Sequence, residues 1–323
     1  MERRGENYLK TADLHCDALY KMMLAHRLSF ADAGGAESGG LDVTADRLRA
    51  GGVDLQVFAI YLEEPLSLRP ETALRAADLF WEKVLSVPGF RLVRTAGDLD
   101  EAERKGEIAA LLSLEGADSL RGQWWALRLL HRLGLRLLGL TWNHANWAAD
   151  GVMEPRGGGL TAAGRQLVRE CEALGILLDV SHLSERGFWD LADMAGRPFF
   201  ASHANARSVC DHPRNLTDDQ IRAIIAVDGV IGVTFVPEFL ADRGGATIDD
   251  VLRHAERVCE LGGADHLGFG SDFDGIDRHV AGLEHPGRYP DLAEALLRRY
   301  PESMVRQFLG GNVRRFLWKN LPS

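Results

Sequence analysis

Brief apolar runs recur along the chain, separated by longer segments in which apolar residues return every three or four positions. The runs at 12–15, 55–61, 109–114, 135–141, 177–181, 199–202, 230–235 and 267–270 read as strands. They lack polar alternation, as parallel strands covered on both faces do. Between them, 73–85, 124–133, 163–174, 185–194, 218–227 and 248–261 carry the helical period. Ser184 precedes one of these helices, and Thr217 followed by Asp218 and Asp219 opens another; such residues satisfy and complement a positive helix start. Alternating strands and helices predict a parallel sheet, and eight strands favour closure. The expected fold is therefore α/β, a (β/α)8 TIM-type barrel. No Pro/Gly/Ser linker divides the chain, so residues 1–323 are expected to form one domain, with glycine-rich stretches at 34–40 and 157–159 as surface loops.

Polar residues follow these runs at informative places. The first predicted strand ends in His15-Cys16-Asp17, where alternation puts His15 and Asp17 on one face, about 6–7 Å apart, and Cys16 on the other. Glu115 ends the third strand, His182 the fifth, His203 the sixth and Asp272 the eighth. Each falls at the carboxyl-terminal rim, where barrel enzymes build their sites. Taken singly, a His after a strand is more often a hydrogen-bonded structural residue, and a strand-end acid is more often a cap. Taken together, His15, His182, His203, Asp17, Asp272 and Glu115 would crowd one barrel mouth with polar groups that only a cation could organise. Imidazole and carboxylate together suit Zn²⁺ or a similar first-row ion. His26, His131, His254, His266, His279 and His285 lack this placement and are expected in surface or core roles.

Composition narrows the partners. Hydrophobic residues make up 46% and charged residues 26%, with a formal net charge of −10 and no basic stripe. Nucleic acid and anionic membrane are thereby disfavoured, since both demand clustered positive charge. The start of the chain is charged and carries no apolar stretch of signal-peptide length, and no apolar run is long enough to span a bilayer. Cys16, Cys171, Cys210 and Cys259 lie far apart without a Cys-x-x-Cys pair, which reads as reduced thiols and a cytoplasmic location.

Several stretches resemble the membrane (renal) dipeptidase family, bacterial branch, of the amidohydrolase-like metal-dependent hydrolases. They are Asp13-Leu-His-Cys-Asp17, Ser113-Leu-Glu-Gly116, Asp179-Val-Ser-His182, Ser202-His-Ala-Asn-Ala-Arg-Ser-Val-Cys210 continuing to Arg214-Asn215, and Gly270-Ser-Asp-Phe-Asp-Gly275. Order and spacing agree from about residue 11 to residue 318. The resemblance implies two divalent ions per chain, zinc first, with His15 and Asp17 on one, His182 and His203 on the other, and Glu115 bridging both. It implies a shared water as nucleophile, Asp272 as proton shuttle, and Arg214, with Asn215 beside it, gripping the carboxylate of a small dipeptide. Dimers are common among such relatives, so a homodimer is an open expectation.

One departure stands out. The family often carries a His directly after Leu-Thr at the end of the fourth strand, whereas this chain reads Leu140-Thr-Trp-Asn-His-Ala-Asn146, with Trp142 in that place. His144 lies two residues on and is expected to supply the missing donor to the oxyanion, with Asn143 or Asn146 as alternatives. The expected activity is a zinc dipeptidase, including the possibility of a D-residue at the carboxyl-terminal position. An enzyme acting on a cyclic amide, lactone or N-acyl amino acid, and a metal-binding barrel without catalysis, remain alternatives. No strand end offers the Lys that a hydantoinase-type site would carboxylate, and Asp272 has no use in a purely structural site.

Overall fold

The computed structural model describes residues 9–25, 28–31, 40–63, 69–242 and 244–323; His26 and most of the glycine-rich stretch at 34–40 lie outside them. Its named strands are β1 (Thr11–Asp13), β2 (Val53–Ile60), β3 (Phe90–Leu92), β4 (Ile108–Glu115), β5 (Leu135–Gly139), β6 (Leu177–Asp179), β7 (Ile231–Val233) and β8 (Leu267–Phe269). All pair in parallel, in the order β6-β5-β4-β2-β1-β8-β7, with β3 added on β4. The result is an α/β fold around a curled parallel sheet.

Two differences from the expected strand set have local causes. β3 pairs Ile108–Ala110 at the start of β4, while β5 pairs the second half of the same edge from Leu112 to Glu115. Three residues of Phe-Arg-Leu are too short to announce a strand by pattern. Conversely, the run at 199–202 forms no ladder. It makes single parallel bridges, Asp179 to Phe200 on one side and Ala201 to Ile231 on the other. Crowding explains its irregularity: Gly232 and Gly270 approach the Ser202 carbonyl so closely that a Cβ on either would overlap it. The backbone there bends inward to deliver Ser202 and His203 rather than continuing flat.

The predicted helices are present, shifted by a few residues: Pro70–Leu79 running into a wider π turn at Phe80–Val84, Trp124–Leu133, Ala162–Leu174, Glu185–Ala192, Asp218–Ala226 and Ile248–Glu260. Ser184 Oγ accepts the Gly187 N–H at 3.0 Å, and Thr217 and Gln220 form a reciprocal capping box. Helices at Ala18–Leu24, Ala45–Ala50, Ala96–Lys105, Tyr289–Leu297 and Asn312–Asn320 were not expected from the pattern. The last has a specific task. Val313, Phe316 and Leu317 join Ala12, Leu55, Val57, Leu111, Leu137 and Phe200 in an apolar cluster within the curl of the sheet. That plug leaves the carboxyl ends of the strands as the open, polar end.

Cys16, Cys171 and Cys210 are buried, Cys259 is half-buried, and none is in a disulfide. Cys16 sits in the outer apolar cluster, on the side away from His15, as alternation requires. Among the described residues no helix is long and apolar enough to cross a membrane.

Candidate active site

Strand ends deliver the site. His15 and Asp17 leave β1, Glu115 ends β4, His182 follows β6, His203 follows the 200–201 bridges, and Asp272 follows β8. Two of these residues need an unusual backbone: His182 has φ 67° and Asp272 φ 66°, in the left-handed region that L-residues rarely enter. Those turns break strand geometry just past β6 and β8 and swing both side chains into the common mouth. The sequence shows no glycine there and gives no warning of them.

Glu115 is the centre. Its Oε2 lies 3.3 Å from His15 Nε2, and that nitrogen is 3.4 Å from Asp17 Oδ2 and 3.7 Å from Asp272 Oδ1. Its Oε1 lies 2.9 Å from His182 Nε2 and 3.7 Å from His203 Nε2, and the two imidazole nitrogens are 2.7 Å apart. Its two oxygens thus face different imidazoles, Oε2 toward His15 and Oε1 toward His182 and His203, while the His15 and His203 rings themselves approach to 3.9 Å. All the metal residues named from the sequence meet here, and Asp272 joins them.

Burial and mutual charge set the protonation of the cluster. Burial alone would strip the proton from His15, but Glu115 and Asp17 outweigh it and hold the ring well above the usual imidazole range. Burial opposes ionisation of Glu115, yet His15 and His182 draw it well below the usual carboxylate range. Burial pushes Asp272 up to about 8; His15 opposes the shift, while Asp17 and Glu115 add to it. Burial, reinforced by Arg214, lowers His182 to about 4, and burial with His15 and His182 holds His203 well below its usual value. Burial thus favours the neutral form of His182 and His203, the form that ligates metals. His15 Nε2, Asp17 Oδ1 and Glu115 Oε2 are buried without a hydrogen-bond partner. Buried polar atoms are ordinarily paired. Three carboxylates, three imidazoles and these orphaned atoms fit a divalent cation centre.

The imidazoles are held from behind. Ser202 Oγ lies 2.7 Å from His203 Nδ1, and the same hydroxyl donates to Asp179 Oδ2. Asp179 Oδ1 also accepts the backbone N–H groups of Ser181 and Ser202, at 3.0 and 2.9 Å. His182 Nδ1 lies 2.8 Å from Asn143 Oδ1. Sequence alone gives Asp179 and Ser202 no role, although both lie inside the quoted motifs, and it offers Asn143 only as an alternative oxyanion donor.

A cavity of about 400 Å³ opens over the cluster, lined by Asp17, Glu115, His182, Asp272, Arg214, Trp142, Asn143, Tyr61 and Phe239, among others. Arg214 is 4% exposed, with its guanidinium 5.4 Å over the Phe239 ring and its Nε without a partner. Burial lowers it to about 10, so it stays a cation at neutral pH. Such an arginine is poised for an anion. Asn215 is placed differently from its expected role. It is absent from this cavity's lining, and its Nδ2 donates to the carbonyls of Cys210 and Phe239, both at 2.8 Å. It fastens the loop that carries Arg214.

The chain matches the family model described as membrane dipeptidase, peptidase family M19, over residues 5–320. It belongs to that family. The membrane dipeptidases are metallo-dipeptidases, so this member is a hydrolase of peptide bonds. An uncharacterised dipeptidase of Schizosaccharomyces pombe is 33% identical over 294 residues, 84% of this chain and 71% of that protein. The solved dipeptidase AC, an M19 metallopeptidase, superposes with a TM-score of 0.89 at 31% identity, covering 98% of this chain and all of that one (100%). A metallopeptidase from Rhodobacter sphaeroides, bound to a phosphinate mimic of L-Ala-D-Ala, gives 0.87 at 30% identity over 98% of this chain and 100% of that one.

Within this dipeptidase fold, His144 does not take the place expected of it. It is exposed and lines a cavity of about 220 Å³ that Glu115 and Trp142 also border, with its ring 6.4 Å from Trp142; it is absent from the lining of the larger cavity that holds Arg214 and Asp272. Past Gly139 the strand has ended, so the alternation that would have kept His144 inward no longer applies. Trp142 borders both cavities and packs against Tyr61 at 5.2 Å and His182 at 6.1 Å. Asn146 is fully engaged: its Nδ2 donates to Asp118 and Leu140, and its Oδ1 accepts from Ala148 and Ala149. Among the described residues, the remaining histidines named above lie outside both cavities. His254 accepts the Ala206 N–H at 3.1 Å and bonds the Leu240 carbonyl.

Proposed function

We propose that this chain is a binuclear zinc dipeptidase that binds a small dipeptide by its free carboxylate at Arg214 and cleaves it over Glu115. The observation that carries the reading is the division of Glu115, with Oε2 among His15 and Asp17 and Oε1 among His182 and His203. In this assignment His15 and Asp17 would hold one ion and His182 and His203 the other, with Glu115 between them as the ligand common to both. Nitrogen and oxygen donors in this mixture suit zinc, with manganese or iron as occupants the same ligands would accept. The bound pair supplies Lewis-acid activation of the attacking water and the scissile carbonyl.

The chain's own groups do the rest. Arg214, itself buried in the cavity wall, orients the substrate by a charge-assisted pair, which is stronger than a neutral one. Asp272, beside His15, is placed to take the proton of the attacking water and pass it to the leaving amine; burial, Asp17 and Glu115 raise it to about 8, and cation charge held by those neighbours would draw it back toward the ionised form that accepts a proton. The Rhodobacter relative's L-Ala-D-Ala mimic supports a carboxyl-terminal D-residue among the substrates. The Phe200–Ala201 bridges to β6 and β7 support reading the sheet as a closed (β/α)8 barrel, and one domain. Unpaired thiols suit a reducing compartment such as the cytoplasm. A homodimer is carried over from the family resemblance.

The decisive experiment combines metal analysis with hydrolysis of an L,L and L,D dipeptide panel. Two equivalents of a divalent ion and turnover of free dipeptides are expected. Failure to cleave any dipeptide with both ions bound would overturn the proposed function.

A further inference from the structure

His182 carries an arrangement that the proposed chemistry does not by itself require. Its Nε2 faces Glu115 Oε1 at 2.9 Å and His203 Nε2 at 2.7 Å. Two imidazole lone pairs that close repel unless a cation or proton lies between them. If Nε2 serves the cation, the ring's remaining proton is on Nδ1 and needs an acceptor. The atom there is Asn143 Oδ1, at 2.8 Å.

The backbone around this pair is tied down on both sides. The His182 carbonyl accepts the Val152 N–H at 2.7 Å and, more weakly, the Thr141 hydroxyl at 3.4 Å. The Asn143 carbonyl accepts the Met153 N–H at 2.8 Å. One loop, from Thr141 to Met153, therefore grips His182 through main chain and side chain together. That grip sustains a residue whose φ of 67° would otherwise be unfavourable.

We propose that Asn143 is a positioning residue: its amide oxygen accepts the Nδ1–H of His182, fixing the tautomer and ring angle that present Nε2 to the metal centre. His203 receives the same service from a different device, the Ser202 hydroxyl backed by Asp179. The two imidazoles of one ion are thus supported unequally. His203 leans on a carboxylate through a hydroxyl, and His182 leans on a neutral amide borne by the loop that also carries Trp142. Partners of this kind orient a ligand and raise its basicity, and their loss typically lowers metal affinity about 10–100-fold.

The inference rests on the metal reading above, and its test separates the two. Wild type, Asn143→Leu and Asn143→Asp are titrated with Co²⁺, following metal stoichiometry, the visible spectrum and the solvent-exchangeable imidazole N–H signals in paramagnetic proton NMR. Asn143→Leu is expected to weaken one of the two ions about 10–100-fold, spare the other, and broaden or lose one exchangeable signal. Asn143→Asp restores an acceptor of the same shape and is expected to keep both ions and the signal, even should the leucine variant misfold. Two tightly held ions and an unchanged set of exchangeable signals in Asn143→Leu would overturn the inference while leaving the metal reading intact. So would an aspartate variant that loses an ion while folded. A wild-type protein that takes up no divalent ion would overturn the metal reading and the inference together.

Discussion

His182 and Asp272 share a left-handed backbone, with φ of 67° and 66°, although neither is glycine. An L-residue in that region carries a cost of roughly 1–2 kcal/mol, which asparagine and aspartate bear more easily than most. Both residues turn the chain immediately beyond a strand and bring a functional side chain to Glu115 and His15. Asp272→Asn is therefore the clean replacement, tolerated by the turn yet unable to accept a proton at working pH. It should lower kcat about 10²–10⁴-fold while metal content and Tm stay near wild type. Steady-state kinetics beside metal analysis measure this; activity within about threefold of wild type would remove Asp272 as the proton carrier.

Glu115→Gln should lower both metal content and turnover, because one oxygen in each donor group loses its charge. The same reasoning applies to metal removal. Each ion that binds only the folded chain at a hundred times its Kd adds about 2.7 kcal/mol, so chelating a pair should lower Tm by roughly 8 °C. A melting curve indifferent to chelator and to added Zn²⁺ would contradict the centre.

Arg214→Met should harm free dipeptides far more than their C-terminal amides. A lost hydrogen bond between charged groups is worth about 1.5–3 kcal/mol, or roughly 10–150-fold in binding. Equal losses for acid and amide would mean that Arg214 only packs on Phe239.

His144→Ala should keep kcat within about threefold, since an oxyanion donor whose loss costs about 10²–10³ must reach the reacting carbonyl and His144 lines the adjoining cavity instead. A hundredfold fall in kcat with metals retained would return His144 to the machinery.

Gly270→Ala should be destabilising, because the added methyl would overlap the Ser202 carbonyl. Overpacking of this kind costs about 1–3 kcal/mol. Its effect should reach the metal centre as well, since Ser202 supports His203. Thermal melts and Co²⁺ spectra would register both, and an alanine variant with unchanged melting would mean the backbone yields there without strain.

Much of this was written in the one-dimensional pattern. Apolar runs such as Ile108–Glu115 announce a buried parallel strand because covered strands have no wet face. Polar residues directly after those runs, His15, Asp17, Glu115, His182, His203 and Asp272, are bound to share a rim, since parallel strands all end on the same side. The sequence could therefore determine an α/β fold with a parallel sheet and the convergence of these six residues on one rim, while Arg214 was named only through the family resemblance. Other features arise only when distant segments are brought together. Three-residue β3 exists because β4 has a free half-edge beside β5. Whether Asn143 or His144 serves the centre depends on how the chain turns after Gly139, where strand alternation no longer governs side-chain direction. Asn215 is fixed by two carbonyls, of Cys210 and Phe239, that no local spacing reveals. Periodicity encodes which face a regular element presents; past its last residue, direction is set by contacts between parts of the chain far apart in sequence, and only the folded structure decides those.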